Sequence, residues 1–143
     1  MISEFMTSEH RRCDDIFVQA ENHAAKGDLE STSHYFKDFE TQMNIHFEQE
    51  EQILFPAFES ATGQTMGPTQ VMRMEHQQML TLFADMSQAI TENRLKTYLG
   101  LSETFLVLMQ QHNLKEEQML YPMSDQALSG KGSTIVDSIK SHA

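Results

Sequence analysis

Shifted by 66 residues, this chain of 143 residues reproduces much of itself without a gap. Glu9-His10 falls on Glu75-His76, Phe17 on Phe83, Phe39 on Phe105, Met43 on Met109 and His46 on His112. The match continues with Glu50-Glu51-Gln52 on Glu116-Glu117-Gln118, Leu54 on Leu120 and Pro56 on Pro122. A chain built this way folds as two copies of one supersecondary unit, and a pseudo-twofold axis is expected between them.

The repeated unit reads as a pair of helices. Breaks at Lys26-Gly27-Asp28, Gly63 to Pro68, Asn93-Arg94 and Gly130-Lys131-Gly132 leave long segments at about 3–26, 28–61, 69–92 and 94–127, and a stub at 133–141. Every long segment carries an apolar seam stepping by threes and fours, the spacing of one helix face. The seams are Met6, His10, Cys13, Phe17, Ala20, Ala24; Phe36, Phe39, Met43, His46, Glu50, Ile53, Ala57; Met72, His76, Met79, Phe83, Met86, Ile90; and Phe105, Met109, His112, Glu116, Met119, Met123. Short connections make successive helices antiparallel. The expected fold is all-α: an up-down-up-down four-helix bundle over residues 1–127, followed by a tail at 128–143 with a short C-terminal helix. Asp28 is the expected cap of the second helix, and Gly67-Pro68 the expected start of the third.

Composition narrows the function classes. Ten Lys and Arg against 21 Asp and Glu give a net charge of −11, which argues against nucleic acid and anionic membranes as partners. No window approaches the roughly 20 apolar residues of a membrane span. The N-terminus lacks the basic and apolar pattern of a signal peptide. One cysteine, Cys13, fits a reducing compartment, so a cytoplasmic location is expected.

The seams contain a violation. His10, His46, Glu50, His76, His112 and Glu116 stand where Leu or Ile is expected. Burying carboxylates in a bundle core costs several kcal/mol each unless they are paired or bound to a metal. Counting about 1.5 Å per residue from the shared turns places all four histidines about 25 Å down the bundle, in one layer. The two glutamates follow one turn later. Four imidazoles and two carboxylates suit two ions, each held by two histidines and sharing both glutamates as bridges. Without thiolate, the set points to iron, manganese or zinc rather than a sulfur-liking metal.

Other residues carry less. His23, His34 and His142 lie too far along their elements to join the layer and read as surface residues. Asp14 reads as a solvated charge, and Cys13 as buried and inert. Glu51 and Glu117, turned by about 100° from the bridging positions, read as supporting or surface groups. Glu9 and Glu75 are placed to anchor an imidazole N–H of a neighbouring helix. Met43, Met72, Met79, Met109 and Met119 read as flexible core filling.

The motif His46-x-x-x-Glu50-Glu51-x-x-Leu54-Phe55-Pro56, its repeat His112-x-x-x-Glu116-Glu117-x-x-Leu120-Tyr121-Pro122, and the Glu9-His10 and Glu75-His76 pairs resemble the hemerythrin-like, or HHE cation-binding, family. The resemblance spans about residues 5–126. It implies a four-helix bundle around a non-haem di-iron centre, bridged by two carboxylates and an oxo or hydroxo group. His10, His46, His76 and His112 would be terminal ligands, and Glu50 and Glu116 the bridges. Oxygen-carrying members have another histidine one turn after the third-helix ligand, where this chain has Leu80. Their last carboxylate is an Asp five residues after its histidine; here Glu116 follows His112 by four. The chain is thus closer to the symmetric four-His, two-Glu members that sense iron or repair iron centres.

The function expected is a di-iron protein binding or sensing O2, nitric oxide, peroxide or iron, with a small diatomic or peroxide ligand as partner. The alternative is a di-iron oxidase or peroxidase, or an iron-centre repair protein. No E-x-x-H pair occurs, so a ferritin-like oxidase lacks support. A metal-free structural bundle is the third reading.

Overall fold

The computed structural model describes residues 1–142, and among them all regular structure is helical. The helices are α1 (Ile2–Ala25), α2 (Leu29–Gln49), α3 (Phe55–Thr62), α4 (Pro68–Thr91), α5 (Leu95–Lys115), α6 (Tyr121–Ala127) and α7 (Gly132–Ser141). A π-helical segment at Glu50–Leu54 joins α2 to α3, and another at Glu116–Leu120 joins α5 to α6, so each pair is one continuous rod. α1 packs beside α2 and α5, and α4 beside α5 and α2. This is the expected bundle, with the short α7 across its end.

Local chemistry sets the turns. Gly27 and Asn93, repeat equivalents, both take left-handed backbone at φ 75° and 56°, a conformation that Gly and Asn tolerate best. Asp28 caps α2, its carboxylate accepting the Ser31 N–H at 3.1 Å. Pro68 opens α4 after Gly67. Asp125 of α6 accepts the amides of Ile2 at 2.8 Å and Ser3 at 3.1 Å, serving the otherwise unpaired first turn of α1.

Two apolar clusters divide the interior. One runs from the Gly27 and Asn93 turns to Cys13, Met43, Met79 and Met109. The other gathers Met6, Leu54, Phe55, Met72, Leu120 and Tyr121, and α7 adds Val136 and Ile139 to it. The His/Glu positions fall between these clusters on all four rods. Gln49 ties α7 down, its Nε2 donating to the carbonyls of Ile139 and His142, both at 3.1 Å.

The π segments correct the expected seams. Through Glu50 and Glu116 the seam residues are buried as expected, but the next ones are not. Ile53, Ala57 and Met123 are only half-buried, and Met119 is 57 % exposed. Leu54, Phe55 and Phe58 are buried in one rod, and Leu120, Tyr121 and Ser124 in the other. The cause is proline. Pro56 and Pro122 have no N–H, and their rings would clash with the carbonyls of Gln52 and Gln118 in a regular helix. The chain instead widens by one residue, with the Phe55 N–H bonded to the Glu50 carbonyl and the Tyr121 N–H to the Glu116 carbonyl. The inserted residue moves the inward face forward by one position. Met119 is therefore not core filling.

This phase shift makes a testable pair. Met119→Lys is expected to change unfolding free energy by no more than about 0.5 kcal/mol, the range of a surface change. Leu120→Ala is expected to destabilise by about 2–5 kcal/mol. Urea unfolding of the two variants reads both; the reverse order would mean an unbroken α-helical phase.

Candidate metal centre

The histidine and glutamate side chains project from four rods into one buried layer. His10 comes from α1, His46 from α2, His76 from α4 and His112 from α5; Glu50 and Glu116 begin the two π segments. All six are at most 2 % exposed. His10 and His46 rings stand 4.9 Å apart, as do those of His76 and His112. The potential ligand atoms fall into two groups, each with all atoms within 4.8 Å of one another: His10, His46, Glu50, Glu116 and Glu50, His76, His112, Glu116. Both groups contain both glutamates. His23, His34 and His142 lie outside the layer; His23 stacks on Tyr35 with centroids 5.2 Å apart, and His142 meets Glu48 at 3.2 Å.

Carboxylates outside the layer aim the imidazoles. Glu117 accepts the Nδ1–H of His10 at 2.7 Å, and its equivalent Glu51 accepts that of His76 at 2.7 Å. Glu75 accepts that of His112 at 2.8 Å and also binds Lys115. Each contact leaves Nε2 facing inward, the arrangement that carboxylate-backed metal histidines use. Glu9 departs from the expected symmetry. Arg12 holds it by two hydrogen bonds, at 2.9 and 3.2 Å. The repeat equivalent of Arg12 is Gln78, so Glu75 has no such competitor. His46 is left without a hydrogen bond at either ring nitrogen.

The inner face is short of partners. His46 Nε2, His76 Nε2, His112 Nε2, Glu50 Oε1 and Glu116 Oε2 are buried without hydrogen bonds. His76 Nε2 lies 3.1 Å from Glu50 Oε1, yet the geometry is misaligned for a bond. Convergent, unpaired groups in a buried layer are the donor set that a bound cation completes. The residues present fit such a group.

Charge is balanced by protons when no cation is bound. Burial opposes the charged form of His10, but hydrogen bonds to Glu116 and Glu117 outweigh it and raise its pKa to about 9. His112, also buried, is raised to about 10 by the charge and hydrogen bond of Glu116 and by Glu75. Burial and the charge on His10 hold His46 well below the ordinary imidazole value. Glu50 is pushed up to about 7 by burial and by the neighbouring Glu116 charge.

The Hemerythrin HHE cation binding domain model matches residues 1–124. The chain belongs to that family. No curated protein and no solved structure matches it. With its buried His/Glu groups, this is a metal-binding hemerythrin-like protein.

Inside this hemerythrin-like centre stands a residue that periodicity did not single out. The Tyr121 hydroxyl donates to Glu50 Oε2 at 2.5 Å and lies 3.0 Å from Glu116 Oε1 and 3.1 Å from His10 Nε2. Burial, and then the two carboxylate charges, keep its pKa well above 10, so it remains a donor. The signal was present in the repeat, where Tyr121 stands opposite Phe55. Phe47 was also missed; its ring stacks on His76 with centroids 4.0 Å apart. Asp14, read as solvated, has one carboxylate oxygen buried without a partner. Cys13 is buried as expected, and burial pushes its thiol up to about 12.

The pKa directions fix a pH dependence. Folded values for His10 and His112 lie above the ordinary 6.5. Their contribution to the metal-free fold is fully present below pH 6.5 and is lost as pH rises through about 9 to 10. Metal-free protein should therefore melt at progressively lower temperature across that window. Cation binding must displace the same protons, so metal addition at neutral pH should release protons, and affinity should rise with pH. Melting curves and an indicator-dye titration check this; a flat profile with no proton release would refute the assignment.

Proposed function

We propose that this hemerythrin-like chain holds two iron ions between His10, His46, His76, His112, Glu50 and Glu116, and uses them to bind or sense a small diatomic or peroxide ligand. The observation that carries this is the overlap of two four-residue groups in both glutamates, which puts each carboxylate within reach of both positions. Imidazole and carboxylate without thiolate suit iron, with manganese or zinc as the competitors. Bound iron would supply a pair of redox-active Lewis acids with positions open to a small ligand.

The chain's own groups do the rest. Glu117, Glu51 and Glu75 hold three imidazoles with Nε2 inward. The two apolar clusters exclude water along the bundle axis. Tyr121 offers a hydroxyl proton at Glu50 Oε2. Leu80, where carriers place a further histidine, is half-buried against the turn-side cluster and supplies no ligand. Two similar positions, neither with a further histidine, would favour sensing or scavenging over reversible carriage. The Tyr121 hydroxyl beside both carboxylates favours peroxide turnover as the second reading, because it holds a proton at Glu50 Oε2 inside the layer.

Metal analysis after reconstitution with ferrous iron should give close to two ions per chain. Glu50→Ala and Glu116→Ala should each lose both, whereas His10→Ala should lose one more than the other. Glu51→Gln and Glu117→Gln should each weaken iron binding by about 10–100-fold, since they aim the ligands. Less than one ion in the unaltered protein would overturn the paired centre. Stopped-flow spectra of the reduced protein divide the two readings: a lasting spectral change with nitric oxide or peroxide marks binding, and repeated consumption marks an enzyme.

A further inference from the structure

The two halves of the bundle do not close over the centre in the same way. A groove of about 510 Å³ runs between α1 and α5, lined by Asp14, Asn113 and Glu117 among others. Its pseudo-twofold counterpart, about 390 Å³, runs between α2 and α4 and is lined at the equivalent positions by Leu80, Phe47 and Glu51. In the α2–α4 groove the Phe47 ring lies flat on His76, 19° from parallel, and presents carbon to the groove. The repeat equivalent of Phe47 is Asn113, which lines the α1–α5 groove, is 8 % exposed and makes no side-chain hydrogen bond among the described residues. Across from it, Asp14 Oδ1 is buried and unpartnered, while Oδ2 lies 3.6 Å from Arg11. The floor is Glu117, whose carboxylate binds His10 directly.

An unpaired carboxylate oxygen and an unpaired amide, facing one groove, ask for a molecule that both donates and accepts hydrogen bonds. Dioxygen and nitric oxide donate none. Small anions meet the charges of Asp14 and Glu117, and the groove's Arg11 is already paired with both carboxylates. A neutral, water-sized hydroperoxide satisfies both groups. We propose that the α1–α5 groove is the side from which hydrogen peroxide reaches the centre, donating to Asp14 and accepting from Asn113, whereas the opposite groove offers only the carbon of Leu80 and Phe47 at those positions. This rests on the metal reading for its destination, but the groove itself can be tested without metal.

The repeat supplies the test. Met109 lines the α1–α5 groove, whereas its equivalent Met43 lines neither of the two grooves, and both are 2 % exposed. Dilute hydrogen peroxide added to metal-free protein converts a methionine thioether to its sulfoxide, with water as the other product. Peptide mass spectrometry should find Met109 oxidised about tenfold faster than Met43, the size expected for about one good hydrogen bond at the capturing site. Asn113→Phe and Asp14→Leu, each importing the residue of the other half, should erase that difference; Asp14→Asn keeps the shape and should reduce it. In iron-loaded, reduced protein the same variants should slow the reaction with peroxide about tenfold, and Asp14→Leu should leave the reaction with nitric oxide unchanged. Equal oxidation of Met43 and Met109 would overturn the groove. A protected Met109 with an unchanged iron reaction would overturn it as the route to the centre. Failure of the unaltered protein to load metal would instead overturn the proposed function, leaving the methionine result to decide the groove.

Discussion

Everything in this bundle is arranged around two carboxylates that have no access to water. Glu50 and Glu116 are completely buried, on facing rods, in one layer. An isolated ionised carboxylate there would carry a desolvation penalty of several kcal/mol, and two of them repel each other as well. Four imidazoles converge on them, and outer carboxylates hold three of those rings in place. Apolar packing on both sides then seals the arrangement. In the absence of cations the layer holds protons on His10 and His112 instead. Without cations, the charge in the layer is thus met by protons rather than by water.

The π segments belong to the same arrangement. Each begins at a buried glutamate and ends before a proline, so the widened turn lies just where a carboxylate must enter the layer. The following residue, Glu51 or Glu117, then reaches the imidazole of a neighbouring rod. One inserted residue per rod lets successive glutamates serve different histidines.

Most of the fold was legible because helical spacing is physical: residues three and four apart share a face, and the seams named the right side chains as far as Glu50 and Glu116. Depth counting from the turns put four histidines in a layer, and the structure brings those four together. Legibility ended at Pro56 and Pro122. Periodicity assumes a constant rise and rotation, and a widened turn breaks that assumption without altering composition. Met119 was misplaced for that reason. Glu9 shows a different limit. The repeat implies equal roles for Glu9 and Glu75, but one Arg12 in place of glutamine removes Glu9 from its histidine. Tyr121 and Asn113 were hidden because their importance lies in differing from Phe55 and Phe47, a contrast that matters only once the two halves face each other.

The pseudo-twofold axis has a consequence for how such a centre can specialise. Two separate copies of one helix pair, associating as a homodimer, would present the same four histidines and two glutamates. In that dimer every residue appears twice, so a phenylalanine that closes one wall closes both, and a polar opening on one side is matched on the other. Joining the copies in a single polypeptide frees each position from its twin. Leu80 and Phe47 can then line one flank with carbon while Asp14 and Asn113 line the other with polar groups, and Tyr121 can face the carboxylates without a mate. Covalent fusion thereby gives a symmetric ligand cage a front and a back.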